Sequence, residues 1–203
     1  MTQQSSLHVY LEWTKQRIDE MDAILASLET KAGQMSADSK PKVEKILAEL
    51  RKRCEEFQTK AKANAQASEA VLRAAQAQLE TQWQGFETQV KAYFEAAGKQ
   101  AEQQQAAFGA AAAAQAKVWR EAAEQLQAEA MKVAVAKRAD IDVAIKQMKV
   151  QAAEAEVQLQ KLKQAGGASW DALSGALAQS RKTFGRASRD AWDAVSRASL
   201  SKS

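Results

Sequence analysis

The stretch LHVYLEWTKQRIDEMDAILASLETKAGQM, residues 7–35, decides the fold class of this 203-residue chain. Within it, residues at alternating spacings of three and four form a seam in which eight of nine positions are apolar. This is the heptad pattern of a helix that pairs with another helix. We therefore predict an N-terminal coiled-coil helix over 1–35, with a seam of Leu7, Leu11, Thr14, Ile18, Met21, Leu25, Leu28, Ala32 and Met35.

A turn follows this helix at SADSKP, residues 36–41. Ser39 can cap the next helix, and Pro41, the only proline, fits the first helical turn, where its missing N–H group is harmless. The same spacing then resumes at Val43, Ile46, Leu50, Cys54 and Phe57. Because such seams pair, we expect self-association through Leu7, Leu11, Ile18, Met21, Leu25, Leu28, Val43, Ile46, Leu50 and Phe57.

Residues 42–165 form a long helical region rich in alanine and glutamine. At 1.5 Å per residue, one helix of about 120 residues would span roughly 180 Å, which requires partners along its length or a fold-back. The weakest point is 98–114, where Gly98 and Gly109 flank a glutamine-rich run. We expect either a kink or a reversal there. An 11-residue period also appears, at Phe86, Ala97, Phe108, Trp119, Ala130, Ile141 and Ala152.

A separately capped amphipathic helix is predicted over 169–200. The Gly-Gly-Ala sequence at 166–168 ends the preceding helix, and Ser169 fits an N-cap. Basic side chains lie opposite an apolar arc into which only one charged residue, Arg181, intrudes. The candidate surface-binding residues of this arc are Trp170, Leu173, Leu177, Arg181, Phe184, Trp192 and Val195.

Three interpretations of this arc are open. It packs onto the rest of the bundle, it lies on an apolar–aqueous boundary, or it binds a dedicated protein partner. Indole rings favour a membrane interface, and Lys and Arg favour anionic headgroups. Of the formal net charge of +4, a net +3 arises within 168–203, which holds six Lys and Arg against three Asp.

Composition argues against an enzyme, a metal site or a bound cofactor. The chain has one histidine, His8, and one cysteine, Cys54, which excludes a disulfide framework and leaves no histidine–cysteine metal set. Cys54 occupies a seam position, where an inert buried thiol is expected. Acidic and basic residues are interleaved before 168, which disfavours nucleic-acid binding. No small-molecule substrate is indicated. Without a visible export signal or a run of about 18 apolar residues, we expect a cytoplasmic protein, peripheral to a membrane or granule where it binds one.

The blocks WDALS at 170–174 and WDAVS at 192–196, offset by 22 residues, resemble the amphipathic repeats of apolipoproteins of the A/E type. The resemblance extends over about residues 83–199, without the prolines that punctuate many such repeats. The alanine- and glutamine-rich composition is also similar to that of phasins, which coat storage granules. Desiccation-protective proteins of the LEA type share the 11-residue period, with far fewer tryptophans. The first two resemblances imply amphipathic helices on an apolar surface.

The sequence thus predicts an all-α protein, an elongated helical hairpin or coiled-coil bundle with a separate C-terminal amphipathic helix. Its predicted function is non-enzymatic. We expect the protein to self-associate and to coat a membrane or storage-granule surface, in the manner of phasins or apolipoproteins. The alternative is a cytosolic coiled-coil assembly scaffold whose C-terminal helix docks internally or on a protein partner.

Overall fold

The computed structural model describes residues 3–33, 35, 37–65, 67–98, 101–135 and 138–200. The described residues form helices and no strand, which confirms the all-α class. The six helices are α1 (Gln3–Ala32), α2 (Lys40–Ala63), α3 (Glu69–Ala96), α4 (Ala101–Met131), α5 (Ala139–Ala165) and α6 (Trp170–Leu200).

The connections before α2 and before α6 lie where the sequence predicts turns, at the proline and at the paired glycines. Pro41 is the second residue of α2, so its missing N–H group costs no helical hydrogen bond. Gly166 and Gly167 have φ angles of 64° and 68°, which only glycine adopts without strain, and they end α5. The backbone N–H of Ala172 donates to Ser169 Oγ at 3.4 Å, which makes Ser169 the cap of α6.

The long region 42–165 folds back, because it comprises three helices and most of α2 rather than one continuous rod. Gly98, with φ of 87°, lies in the reversal between α3 and α4, at the edge of the predicted weak point 98–114. The α4 helix then runs through Gly109 without a break. Folding back lets each segment bury its apolar side, which a single rod of this length could not do in one chain.

Two further reversals carry neither proline nor glycine, and the sequence analysis did not find them. After α2, the side-chain amide of Asn64 donates to the Lys60 carbonyl at 2.8 Å. After α4, the Arg138 guanidinium donates to the carbonyls of Met131 at 2.6 Å and Val133 at 2.7 Å. These side chains satisfy carbonyl groups that the ending helices leave without partners.

The α1 helix is the centre of the bundle, because it packs against α2, α3, α4 and α6. Two buried tyrosines fix it to its neighbours. Tyr10 donates its hydroxyl to the Ala61 carbonyl at 3.3 Å, and Tyr93 donates to the Leu28 carbonyl at 2.9 Å. Burial raises the pKa of Tyr93 to about 12, so this hydroxyl remains a donor.

The buried face of α1 differs from the predicted seam. Met21 and Leu28 are buried as expected, but Leu11 is 40 % exposed, and Ile18 and Leu25 are only partly buried. A helix with neighbours on several sides buries an arc wider than a heptad seam, so the arc includes residues between the seam positions. The buried residues of α1 are Tyr10, Thr14, Gln16, Arg17, Glu20, Met21, Ile24 and Leu28.

Buried apolar side chains form two clusters along the bundle. The larger one joins α1, α2 and α3 to the beginnings of α4 and α6, and it includes Trp83, Phe94 and Phe108. The other joins the later parts of α4 and α6 to the beginning of α5, around Trp119 and Trp192. Six residues of the 11-residue series are buried and Ala152 is half-buried, but they come from α3, α4, α5 and the turns, so they form no single stripe.

The C-terminal helix has its own cap but packs into the bundle, which is one of the arrangements that the sequence left open. It packs against α5, α4 and α1, because these helices supply the apolar surface that its own arc needs. The chain exposes 10844 Å² in total, whereas a globular monomer of its mass exposes about 9,300 Å². The bundle is therefore elongated.

Burial on α1 gives a direct test of the packing. Replacing the buried Leu28 with alanine should lower the free energy of unfolding by about 2–5 kcal/mol, because a cavity replaces packed methyl groups. Leu11→Ala, on the same helix, is the matched control and should cost less than about 1 kcal/mol. Urea unfolding followed by circular dichroism measures both. Equal losses for the two variants would contradict the observed orientation of α1.

Candidate functional site

All seven candidate surface-binding residues on α6 are buried. Their exposed fractions run from 0 % for Leu173 to 8 % for Val195. The arc therefore faces the bundle in this fold, which agrees with the internal-packing interpretation. The opposite face of α6 carries more basic than acidic side chains, with Lys182, Arg186, Arg189 and Arg197 exposed beside Asp190 and Asp193.

The first tryptophan of α6 is held by the larger apolar cluster. Trp170 packs against Phe94 with ring centroids 5.1 Å apart. One residue later, Asp171 accepts from Lys91 Nζ at 2.9 Å. That ion pair is solvent-exposed, and exposed ion pairs contribute little to stability. The beginning of α6 is therefore anchored to α3 mainly by aromatic packing.

A buried charged layer crosses the middle of α6 at Arg181. Its Nη1 donates to Glu20 Oε2 on α1 at 2.6 Å, and its Nη2 donates to Glu87 on α3 at 3.4 Å. Glu20 has no exposed surface. Loss of hydration raises the pKa of the Glu20 carboxyl, although the cations Arg181 and Arg17 act in the opposite direction. The layer therefore joins three helices at a desolvation cost that the ion pairs must offset.

A second arginine and one tryptophan complete the layer. Arg17 Nη2 donates to both oxygens of Glu80, at 3.0 and 2.9 Å, although burial lowers the pKa of Arg17. The Trp83 ring contacts two guanidinium groups, with its centroid 4.4 Å from Arg17 Cζ and 4.8 Å from Arg181 Cζ. Such cation–π contacts are worth about 2 kcal/mol when they are desolvated. They stabilise two like charges in one buried layer.

The charged layer also reaches α4 through neutral groups. Ser180 Oγ donates to Gln115 Oε1 at 2.7 Å, and Gln115 Nε2 donates to the Leu177 carbonyl at 3.2 Å. Both side chains lie between the two apolar clusters, because those clusters include α4 up to Ala112 and again from Trp119. We call Arg17, Glu20, Trp83, Gln115, Ser180 and Arg181 the polar layer.

The polar layer is incompletely hydrogen-bonded. Within the described part of the chain, Arg17 Nε and Nη1, Arg181 Nε and Trp83 Nε1 are buried without a hydrogen-bond partner. A buried polar group left in this way costs about 1–3 kcal/mol. Of these four atoms, only Arg181 Nε belongs to α6, and the others belong to α1 and α3.

The second tryptophan of α6 makes its polar contact with α1. Trp192 Nε1 donates to Glu12 Oε1 at 2.8 Å, and Ser188 donates to the other oxygen of the same carboxylate. His8 stacks on the Trp192 ring with centroids 3.9 Å apart and planes 1° from parallel. Burial raises the pKa of Glu12 and lowers the pKa of His8. Desolvation thus disfavours the charged form of both groups.

The predicted self-association residues pack mainly within one chain. Self-association through them stays a prediction, and in this fold it would require α1 and α2 to leave the bundle. Met21, Leu28, Val43, Leu50 and Phe57 are buried, Leu7, Ile18, Leu25 and Ile46 pack against the larger cluster, and only Leu11 is classed as exposed.

The described residues bear on two kinds of reactive site, a metal-binding cluster and an ionised cysteine. No group of three or more histidine, cysteine, aspartate or glutamate side chains within them could hold a metal ion. The Cys54 thiol is buried, which raises its pKa to about 12, so it stays protonated and unreactive. No helix in the described part of the chain is long and apolar enough to cross a membrane.

Sequence reasoning missed most of the polar layer. The sequence shows Arg181 as the one charge in an apolar arc. Arg17 and Glu20 belong to the interleaved charges of α1, which are typical of solvent-exposed helix faces. Gln115 and Ser180 are common helix-surface residue types. Only the crossing of three helices at this level turns these five residues into one buried set.

No protein-family model matches the sequence, and comparison with curated proteins and with solved structures finds no match. The chain's own residues and geometry are therefore the only basis for its function.

A double-mutant cycle tests the central ion pair. Arg181→Met should cost about 3–5 kcal/mol, because it leaves the fully buried Glu20 without its nearest cation, and Glu20→Leu should cost less, because Arg181 keeps Glu87. The double variant should recover much of that loss, since it removes both charges from the layer. Urea unfolding of the four proteins gives the coupling energy. Strictly additive losses would show that the two side chains do not act as a pair.

The Glu12 carboxyl group, which contacts Trp192, predicts that the stability of the fold depends on pH. The pKa of Glu12 is raised above its ordinary value of 4.5, so the fold binds this proton more tightly than the unfolded chain does. The stability that this tighter proton binding contributes is fully present below pH 4.5 and is lost as the pH rises through the raised pKa.

Glu12→Gln removes this titration. Its free energy of unfolding should fall less than that of the natural chain as the pH rises from 4.5 towards neutrality. Urea unfolding across this range measures the difference, and Asp38→Asn in the α1–α2 turn is an exposed control. Identical pH profiles for the natural chain and Glu12→Gln would contradict the assignment.

Proposed function

We propose that this protein is a non-enzymatic helical structural protein that binds an apolar surface with anionic groups, such as a membrane or a lipid-coated storage granule. In the proposal the bundle is the form in water, and α6 transfers its apolar arc to the surface. The observation that carries it is the two-sided chemistry of α6, an arc of tryptophan, leucine and phenylalanine side chains, interrupted by Arg181, opposite four exposed basic residues.

The energetics explain why a surface must take part. Exposing a large apolar side chain to water costs about 1.5–3 kcal/mol, and the α6 arc has six of them. That total rivals the whole stability of a typical domain. In the proposal, the apolar surface offsets this cost by burying the same side chains again, while Lys182 and Arg186 approach the anionic groups.

Two local features favour α6 as the helix that moves. Gly166 and Gly167 join it to α5, and their positive φ angles mark a connection that can change conformation at low steric cost. An open groove of about 840 Å³ also separates the later part of α5 from α6, with Leu159 and Thr183 among its lining residues. The groove leaves part of the boundary between α5 and α6 open to solvent, although the two helices pack against each other elsewhere.

Vesicle flotation with the full-length protein tests the proposal. The vesicles contain phosphatidylcholine with phosphatidylglycerol, and lipid-coated polymer particles serve as a second surface. The natural chain should float with both. Lys182→Glu with Arg186→Glu should weaken binding about tenfold or more, because anionic headgroups then meet acidic side chains.

The matched control is Lys42→Glu with Lys45→Glu, which makes the same charge change on the exposed face of α2. It should bind nearly as well as the natural chain. If the natural chain stays in solution with both surfaces, or if the two double variants lose binding equally, α6 is not the binding element.

The second candidate is an assembly scaffold whose C-terminal helix stays docked. The hydrogen bonds of Trp192 and Ser188 to Glu12 favour it, because they hold the end of α6 on α1. Tryptophan emission separates the two candidates. A scaffold keeps the same emission when vesicles are added, whereas transfer of Trp170 and Trp192 to lipid changes it.

A further inference from the structure

The α5 helix has two apolar faces, although packing into the bundle needs only one. Its inner face buries Ile141, Ile145, Met148 and Leu159. On the outside, Val143, Val150 and Val157 are 56 %, 48 % and 51 % exposed. A spacing of seven places these valines in one line along the helix, which is the repeat of a coiled-coil seam.

We propose that this valine line binds the same line of a second copy, with the two α5 helices antiparallel. With Val150 on the two-fold axis, Val143 of each copy lies opposite Val157 of the other. The exposed Ala139 and Ala153 lie along the same face, and their small side chains let two helix axes approach closely. The contact is self-complementary, as a two-fold interface must be.

The charges beside the valine line specify the second copy and its direction. In the antiparallel register, Lys146 lies opposite Glu154 of the other copy, and the reverse contact occurs by symmetry. The helix is also acidic at its beginning, with Asp140 and Asp142, and basic near its end, with Lys161. Antiparallel packing therefore places acidic ends beside basic ends, whereas a parallel pair would bring two Lys146 side chains together.

The proposed contact between the two α5 helices is small. One helix of 27 residues is about 40 Å long, and three valines from each copy provide most of the apolar area. This lies at the small end of specific interfaces, so we expect a weak dimer that forms as the protein concentration rises. The inference does not depend on the release of α6, because the α5 line is exposed in the closed bundle.

Sedimentation equilibrium of the full-length protein, from low micromolar to submillimolar concentration, tests the proposal. The natural chain should change from monomer to dimer across this range. Val150→Glu should remain monomeric, because it places two carboxylates at the axis. Val71→Glu on α3, where the valine is 47 % exposed, is the matched control and should dimerise like the natural chain. Circular dichroism checks that both variants keep their helicity.

Charge exchange tests the register independently. Lys146→Glu should weaken the dimer about tenfold, since it faces Glu154 of the other copy, and Glu154→Lys should do the same. The double variant should restore the natural affinity, because the opposite charges return in exchanged positions. A natural chain that stays monomeric, a dimer unaffected by Val150→Glu, or a double variant without recovery overturns the proposal.

Discussion

The ion pair between Glu20 of α1 and Arg181 of α6 is the contact on which the arrangement of the bundle depends. It connects the first and last helices of the chain, and its arginine also reaches Glu87 on α3. An ion pair in an apolar interior is sensitive to position, because a shift of one residue would leave both charges without partners. The pair therefore fixes the register of α6 on the bundle, with Trp83 stacked beside its guanidinium.

Apolar packing supplies the stability that this polar layer costs. The two apolar clusters lie on either side of it along α4 and α6. Alanine dominates α4, which also contributes Phe108 to the larger cluster and Trp119 to the other. The bundle thus combines two apolar clusters with one polar layer between them. In our proposal, α6 can leave at that level when an apolar surface receives its arc.

The two proposals assign different surfaces to different tasks. The α6 arc is hidden in the closed bundle, and its basic outer face is the part that first meets an anionic surface. The α5 valine line is accessible without any rearrangement, and its charges match a second copy. A dimer through α5 would also present two α6 helices to one surface, which raises overall affinity without any new contact.

The sequence by itself determined the helical class, the turn before Pro41, the capped start of α6 at Ser169 and the amphipathic character of α6. These follow from local chemistry, namely side-chain period, proline, paired glycines and a hydroxyl cap. The reversals at Asn64 and Arg138 were not predictable, because their caps are side chains that carry no special backbone preference.

Tertiary structure alone decided which apolar faces are covered. The arc from Trp170 to Val195 would have the same sequence pattern whether it packed on a bundle or on lipid. The pattern shows that one face of the helix is apolar, but not what that face contacts. The same limit applies to α1, where Leu11 and Tyr10 are both apolar candidates and only the positions of four neighbouring helices select Tyr10 for the core. Arg17 and Glu20 became buried for that reason as well, because burial depends on residues far away in the chain.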